Sequence, residues 1–271
     1  MNLHNQVAVL TGAGSGIGRA LAVLLAQRGC HLALADIDTA ALAHTAGLAE
    51  AFGVRVSQHP LDVAQREAVA ALPAAVLAVH GGVDVLINNA GVAMGGTFEQ
   101  VSEDDFDWLM DINFHGVVRM TRAFLPLLRQ RRAARIVNLS SLFGLIAPPE
   151  QCAYAASKFA VRGFSNALRH ELAMAGSSVG VTVVHPGGVA THIASSARMA
   201  DGLSSTDVAK RQALSKKLLR MSPEKAAAII VRAVEQDKAR VIVGWDAWFA
   251  ALVERLMPVG YWGLLGRRMK L

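Results

Sequence analysis

The sequence predicts an α/β domain in which helices alternate with the strands of a parallel sheet. Three features carry that expectation. An apolar strand, residues 6–10, runs through the turn Thr11-Gly12-Ala13-Gly14-Ser15-Gly16-Ile17-Gly18 into a helical stretch, residues 19–28. The order of strand and helix then repeats, which implies parallel strands joined by right-handed crossovers. With 271 residues, 53% apolar and 18% charged, the chain can bury one large core and is not a disordered polymer.

The first strand is apolar throughout, as a strand covered on both faces must be. Its glycine turn permits positive φ and close backbone approach, and the helix that follows offers unpaired N–H groups to a pyrophosphate. The strict G-x-G-x-x-G fingerprint fails, because Ile17 or Arg19 stands where its last glycine belongs, and no Gly-Lys-Ser/Thr makes a P-loop. What fits is T-G-x-x-x-G-x-G, with Gly12, Gly16 and Gly18. A second strand, residues 31–35, ends at Asp36, about 20 residues beyond the turn, where an acid hydrogen-bonds an adenosine ribose and repels a 2′-phosphate. Capping of the next helix is the other use for an acid there.

Residues 39–52 read as helix and 54–59 as a third strand, with Leu61-Asp62-Val63 at its C-terminal edge. A helix over 66–80 leads to a fourth strand, 83–87, which ends in Asn88-Asn89-Ala90-Gly91. In doubly wound sheets these edges hold the ligand. Ser102 followed by Glu103, Asp104 and Asp105 starts a capped helix. Within it Asn113, set among Ile112, Phe114, Val117 and Val118, needs a partner if buried. The strand 135–139 delivers Ser140-Ser141, and Leu142-Phe143-Gly144 and the rigid Ala147-Pro148-Pro149 loop lead to a helix carrying Tyr154 and Lys158.

Four residues apart, Tyr154 and Lys158 share a helix face, where an ammonium would draw a phenol down from about 10 toward the range of a working acid–base group. A core-facing tyrosine with a solvated lysine would use the same spacing. Farther on, Ser222-Pro223-Glu224 opens a helix, residues 240–243 form a last strand, and residues 244–271 are apolar, aromatic and finally basic. Such an extension suits a subunit interface or a membrane surface.

Composition excludes several classes. The net charge of +6 is uneven: residues 1–191 carry 13 Lys/Arg and 14 Asp/Glu, residues 192–271 carry 14 and 7. A solubilising face is the preferred reading of that excess, and nothing interleaves basic and aromatic residues as a nucleic-acid module does. Cys30 and Cys152 make no disulfide framework, and the nine histidines lack metal-ligand spacing, so no metal is expected. Neither a cleavable leader nor an apolar run of about 18 residues is visible, and a cytoplasmic location is expected.

Taken together, residues 11–18, Asp62, Asn88-Asn89-Ala90-Gly91, Asn113, Ser141, Tyr154-x-x-x-Lys158 and Pro186-Gly187-Gly188-Val189-Ala190-Thr191 resemble, in order and spacing, the motifs of the classical short-chain dehydrogenase/reductase family. The resemblance implies one Rossmann-type, doubly wound domain of about seven parallel strands over residues 1–271, with a core over 1–191, a substrate lid over 192–221 and an extension over 244–271. It implies a hydride transfer between a nicotinamide and an alcohol or ketone carbon. Tyr154 would exchange the proton, Lys158 would lower the phenol and bind the ribose, Ser141 would hydrogen-bond the substrate oxygen, and Asn113 would hold a relay water. Gly12, Ser15, Ile17 and Gly18 would line the pyrophosphate turn. Asp36 would meet the ribose, Asp62 and Val63 the adenine, Asn89, Ala90 and Gly91 the cleft, and Pro186, Val189 and Thr191 the carboxamide side.

Ser15 and Ile37 occupy the positions where members preferring NADP tend to carry a basic residue, so NAD is expected, with Arg19 as the weaker contrary cue. Leu142, Phe143, Ala147, Gln151, Gly188 and Met199 are candidate pocket residues, suggesting an apolar secondary alcohol or ketone. The alternatives are an NADP-linked 3-oxoacyl reductase and a dinucleotide-binding sensor or scaffold without turnover. Members of the family are commonly dimers or tetramers, so a homo-oligomer is expected, with the extension at the subunit interface in preference to a peripheral membrane contact.

Overall fold

In the computed structural model, which describes residues 1–200, Ala209, Ala213 and 217–269, the hydrophobic runs become strands of a single parallel sheet. β1 (Val7–Thr11) is buried along its whole length and feeds α1 (Gly16–Gln27). β2 (His31–Asp36), α2 (Thr39–Glu50), β3 (Val56–Pro60), α3 (Arg66–His80) and β4 (Val85–Asn88) continue the alternation. The segment after β4 contains the short β5 (Met94–Gly95), and then α4 (Glu103–Met110) passes through a π-helical turn (Asp111–His115) into α5 (Gly116–Leu128). Ser102 caps α4 by accepting from the Asp105 amide, as its sequence signal predicts.

β6 (Ala134–Leu139), α6 (Cys152–Met174), β7 (Val179–Pro186), the short β8 (Arg198–Met199), α7 (Pro223–Glu235) and β9 (Arg240–Val243) complete the core. Beyond it lie α8 (Trp245–Leu256) and α9 (Tyr261–Met269). The apolar pattern leaves out β7, whose Gly180, Thr182 and His185 interrupt the run. Tertiary structure buries Thr182 and His185: the Thr182 hydroxyl donates to the Lys238 carbonyl, and His185 Nδ1 meets the Ser141 carbonyl while its Nε2 is left without a partner.

The strand order is β3-β2-β1-β4-β6-β7-β9, every pairing parallel. The expected seven-stranded, doubly wound sheet is therefore what the chain forms. From β1 the chain winds outward to β3, then returns to start β4 on the other side of β1, so the connections leaving β1 and β4 diverge and open a crevice above their C-terminal ends. Helices cover both faces: Leu21, Leu25, Ile230 and Val234 pack on one, and Val76, Met120, Phe124 and Leu172 on the other.

A polar ladder crosses the buried strand ends. Asn88 Nδ2 donates to Asn138 Oδ1 at 2.8 Å and to Thr121 Oγ1 at 3.2 Å, and Asn138 Nδ2 donates to Ser165 Oγ at 2.9 Å. These bonds tie β4 and β6 to α5 and α6, the helices that border the crevice, and they satisfy the whole Asn138 amide and the Asn88 Nδ2, leaving Asn88 Oδ1 buried without a partner. No helix of the described residues is long and apolar enough to cross a membrane.

Candidate active site

At the mouth of the crevice the glycine turn folds as tightly as its composition allows. Gly12 has φ +64°, and a Cβ there would lie 2.8 Å from Asn89 Nδ2. A Cβ on Gly18 would run into the Gly12 carbonyl, so the third glycine of the motif serves close packing of α1 on the turn. Asn89 holds this arrangement by donating to the carbonyls of Thr11 and Gly12, both at 3.0 Å, while the Thr11 hydroxyl accepts from the Asn89 and Ala90 amides. Ser15 sits at the N-cap of α1 without using its side chain as a cap, and half-buried Ile17 packs on the core. Thr191 closes the turn from outside, its Cγ2 3.0 Å from where a Gly16 Cβ would be.

Asp36 ends β2 beside this turn. Its carboxylate accepts from the Gly14 amide at 2.7 Å and from the Asp38 amide at 3.0 Å. The helix cap is a different acid: Asp38 accepts from the Ala41 amide and starts α2. Arg19 is folded back onto the Gly14 carbonyl and the Thr45 hydroxyl. Asp62 accepts from the Ala64 amide just beyond β3, and Val63 is buried against Gly116. These residues fit a dinucleotide: a side-chain-free turn before a helix N-terminus for the phosphates, and a carboxylate at the strand end for a ribose.

The second half of the site lies on β6, α6 and the π-helical turn. Lys158 is buried, only 4% exposed, which excludes the solvated lysine of an ordinary amphipathic helix. Its Nζ donates to the Leu139 carbonyl at 3.2 Å and stands over the Tyr154 ring, 5.6 Å from the centroid. Gly91 brings the groups together, since a Cβ there would lie 3.4 Å from Lys158 Nζ and 3.1 Å from Asn113 Oδ1. Asn113 is wholly buried. Its Oδ1 accepts from the Val92 amide at 2.8 Å, and its Nδ2 donates to the Val92 carbonyl and to Ser157 Oγ.

The two serines separate by role. Ser140 Oγ donates to the Lys158 carbonyl and is buried, whereas the Ser141 hydroxyl hydrogen-bonds the Tyr154 phenol and accepts from the Phe143 amide. Phe143 meets the Tyr154 ring edge-on at 6.0 Å, and Leu142 shares the same 3₁₀ turn. Gln151 is the N-cap residue of α6, with its side chain uncommitted to the cap. Pro186 ends β7, Val189 is buried, and Gly188 is locked by donating to Asp246 Oδ2 at 2.7 Å. Of residues 192–221, Arg198 is tied to α4 by its ion pair with Asp105 and by its guanidinium over the Trp108 ring, while 201–208, 210–212 and 214–216 lie outside the described residues.

Burial pushes the Tyr154 phenol up, and the Ser141 hydrogen bond opposes it. Burial also acts on the lysine, pushing it down to about 8. The Nζ lies over the ring face rather than at the phenol oxygen, and both charged forms lose water, so desolvation outweighs their attraction.

That cost yields a prediction. Below about pH 8 the folded chain carries a buried ammonium, between about 8 and 10.5 the unfolded chain binds a proton the folded one does not, and above 10.5 the penalty is gone. Lys158→Met is expected to raise thermal stability at pH 7 by about 1–3 kcal/mol, less the lost Leu139 hydrogen bond, with the gain vanishing as pH rises through that window. Calorimetric unfolding at pH 7 and above pH 10 checks it.

Sequence reasoning passes over Ser157 and His185. Ser157 lies inside the Tyr154–Lys158 run and donates to the Tyr154 carbonyl, three residues back on the helix. His185 is fully buried, and its Nδ1 donates to the Ser141 carbonyl at 3.0 Å, because a carbonyl can only accept. Burial lowers this imidazole to about 4, so it is neutral and holds the serine strand end in place. Its place before Pro186-Gly187 is the signal that marks it. An open apolar groove of about 660 Å³ between Pro148, Pro149, Phe159 and Trp262 lies on the opposite side of α6, since Cys152, Ala155, Ala156 and Phe159 face away from Tyr154 and Lys158. No cluster of three or more metal-ligating side chains occurs among the described residues.

Fold and site together define a doubly wound α/β protein with a glycine turn at the switch point and a Ser–Tyr–Lys cluster facing it. The chain belongs to the short-chain dehydrogenase family of oxidoreductases: residues 6–202 match the family model described as short chain dehydrogenase. It is 47% identical over 260 residues to a Mycobacterium tuberculosis protein named oxidoreductase SadH, covering 96% of this chain and 94% of that one. Among solved structures, a Burkholderia phymatum short-chain dehydrogenase/reductase in complex with NAD superposes with a TM-score of 0.88 at 32% identity, covering 94% of this chain and 95% of the other. A Mycobacterium paratuberculosis short-chain dehydrogenase bound to NAD gives 0.79 at 27% identity, with 91% and 99% coverage.

Proposed function

We propose that the protein is an NAD-dependent dehydrogenase that interconverts an apolar secondary alcohol and its ketone. The observation that carries the reading is the meeting of Ser141, Tyr154 and buried Lys158 beside Gly91, at the strand ends next to the glycine turn. The two NAD-bound neighbours and the Asp36 carboxylate support NAD over NADP. When bound, that cofactor supplies the hydride acceptor or donor.

The rest is the work of the chain. Gly12, Ser15, Ile17 and Gly18 present the turn and helix terminus to the phosphates, Asp36 takes the ribose, and Asp62 and Val63 line the adenine end. Asn89, Ala90, Gly91, Pro186, Val189 and Thr191 shape the remaining cleft. Ser141 holds the substrate oxygen, and Tyr154 takes its proton in oxidation or returns it in reduction. Lys158 binds the second ribose and sets the field around the phenol. The Asn113 side chain is committed to Val92 and Ser157, so a relay water would rest on its backbone carbonyl, in the π-helical turn.

Leu142, Phe143, Gln151 and Gly188 frame the substrate in this reading. The protein acts in the cytoplasm as a homodimer or homotetramer in this reading. The test is a screen of aliphatic alcohols, hydroxysteroids and acyl carbinols with NAD⁺, followed at the reduced-nicotinamide absorbance. Oxidation of an apolar secondary alcohol is the expected result; turnover confined to 3-oxoacyl thioesters with NADPH, or none with any substrate, overturns the assignment.

A further inference from the structure

Helix α8 presents a stripe that nothing among the described residues covers. Trp245, Trp248, Leu252 and Leu256 fall within one narrow arc of its surface, opposite the buried Ala247, Ala250 and Val253. Their exposure is large: 76% for Trp245, 46% for Trp248, 38% for Leu252 and 72% for Leu256. The two indoles stack on one another in the open, with centroids 4.8 Å apart and planes at 13°. The turn into α9 extends the patch with Met257 and Val259, the latter 93% exposed, and Leu264 follows on α9.

Charge selects the occupant. Arg255 flanks the stripe, whereas the two acids of α8 point elsewhere: Asp246 is bound to the Gly188 amide, and Glu254 lies on the side of the buried face near Arg240. In the sequence, Arg267, Arg268 and Lys270 follow the same extension with no Asp or Glu after Glu254. A second copy meeting this face through a two-fold axis would set like charge against like. Indoles and leucines beside arginines suit the headgroup region of an anionic bilayer, where aromatic rings and cations are both favoured.

The patch is also rigidly mounted. The buried side of α8 and α9, with Ala250, Val253 and Leu265, packs on Ile146 and on Leu142 and Phe143, and the Tyr261 hydroxyl accepts from the Ala147 amide at 2.9 Å. We propose that the exposed stripe of α8, with the turn into α9, is a docking surface for anionic membranes, in place of the subunit contact expected of this extension.

The experiment is co-sedimentation of the full chain with vesicles of phosphatidylcholine alone or mixed with phosphatidylglycerol, without substrate, so that it is independent of the dehydrogenase reading. Binding is expected to rise with the anionic fraction and to weaken at about 0.5 M salt. Trp248→Glu and Leu252→Glu are each expected to weaken it about tenfold or more, with melting temperature unchanged. Trp248→Tyr, which keeps an interfacial aromatic, is expected to retain most of it. Equal recovery with and without vesicles overturns the proposal, as does a Leu252→Glu protein whose sedimentation mass falls, which would put a second copy on the stripe.

Discussion

Tyr154→Phe is expected to lower kcat for alcohol oxidation by about 10²–10⁴-fold, the usual range for losing a positioned proton-transfer group. The change is close to isosteric. Phe keeps the edge-on contact with Phe143 and the place beneath Lys158, so binding of NAD, followed by calorimetry, is expected to survive. The pH dependence supplies the sign. Burial raises the phenol, and oxidation needs its deprotonated form, so activity should climb as pH rises and fall away as the phenol keeps its proton. Reduction uses the protonated form and should favour the lower side of the same range. A mutant with undiminished kcat and an unchanged alkaline limb would show that Tyr154 carries no proton.

The second large effect concerns the cofactor. A carboxylate facing a 2′-phosphate at about 4 Å, with an effective dielectric of about 20, is opposed by up to about 4 kcal/mol per unit charge, and so kcat/KM should favour NAD over NADP by about 10²-fold or more. Asp36→Asn removes the charge while its amide oxygen can still accept from the Gly14 amide, keeping the turn in place. The variant is expected to lose about tenfold or more with NAD, through the weakened ribose hydrogen bond, and to gain with NADP as the repulsion disappears. Arg19, now bound to the Gly14 carbonyl and Thr45, is near enough to that turn to assist the gain. Steady-state kinetics with both cofactors decide it. An NADP preference in the unaltered protein would remove Asp36 as the selector.

Local chemistry alone determined much of this protein. Apolar runs too short and too continuous for surface helices define buried strands, and their alternation with helices requires a parallel sheet. The turn from Thr11 to Gly18 needs its glycines whatever the rest of the chain does, because positive φ and backbone contact are local demands. Asp36 and the Tyr154–Lys158 spacing are set in the same way, by their distance along the chain from a strand end or along a helix. β7 is less visible, because Thr182 and His185 look polar until their distant partners, the Lys238 and Ser141 carbonyls, are known.

Tertiary structure decided the rest, for one physical reason: burial and long-range hydrogen bonds depend on residues far apart in the chain. It assigned the capping role to Asp38 and left Asp36 for the turn, spent the Asn113 amide on Val92, and separated Ser140 from Ser141. It also set the electrostatics at Tyr154, since the desolvation that pushes the phenol up and the lysine down comes from β6, α4, the π-helical turn and the loop after β4 closing around them. The sequence could pair the two residues on a helix, but only the packed crevice determines how much water they keep.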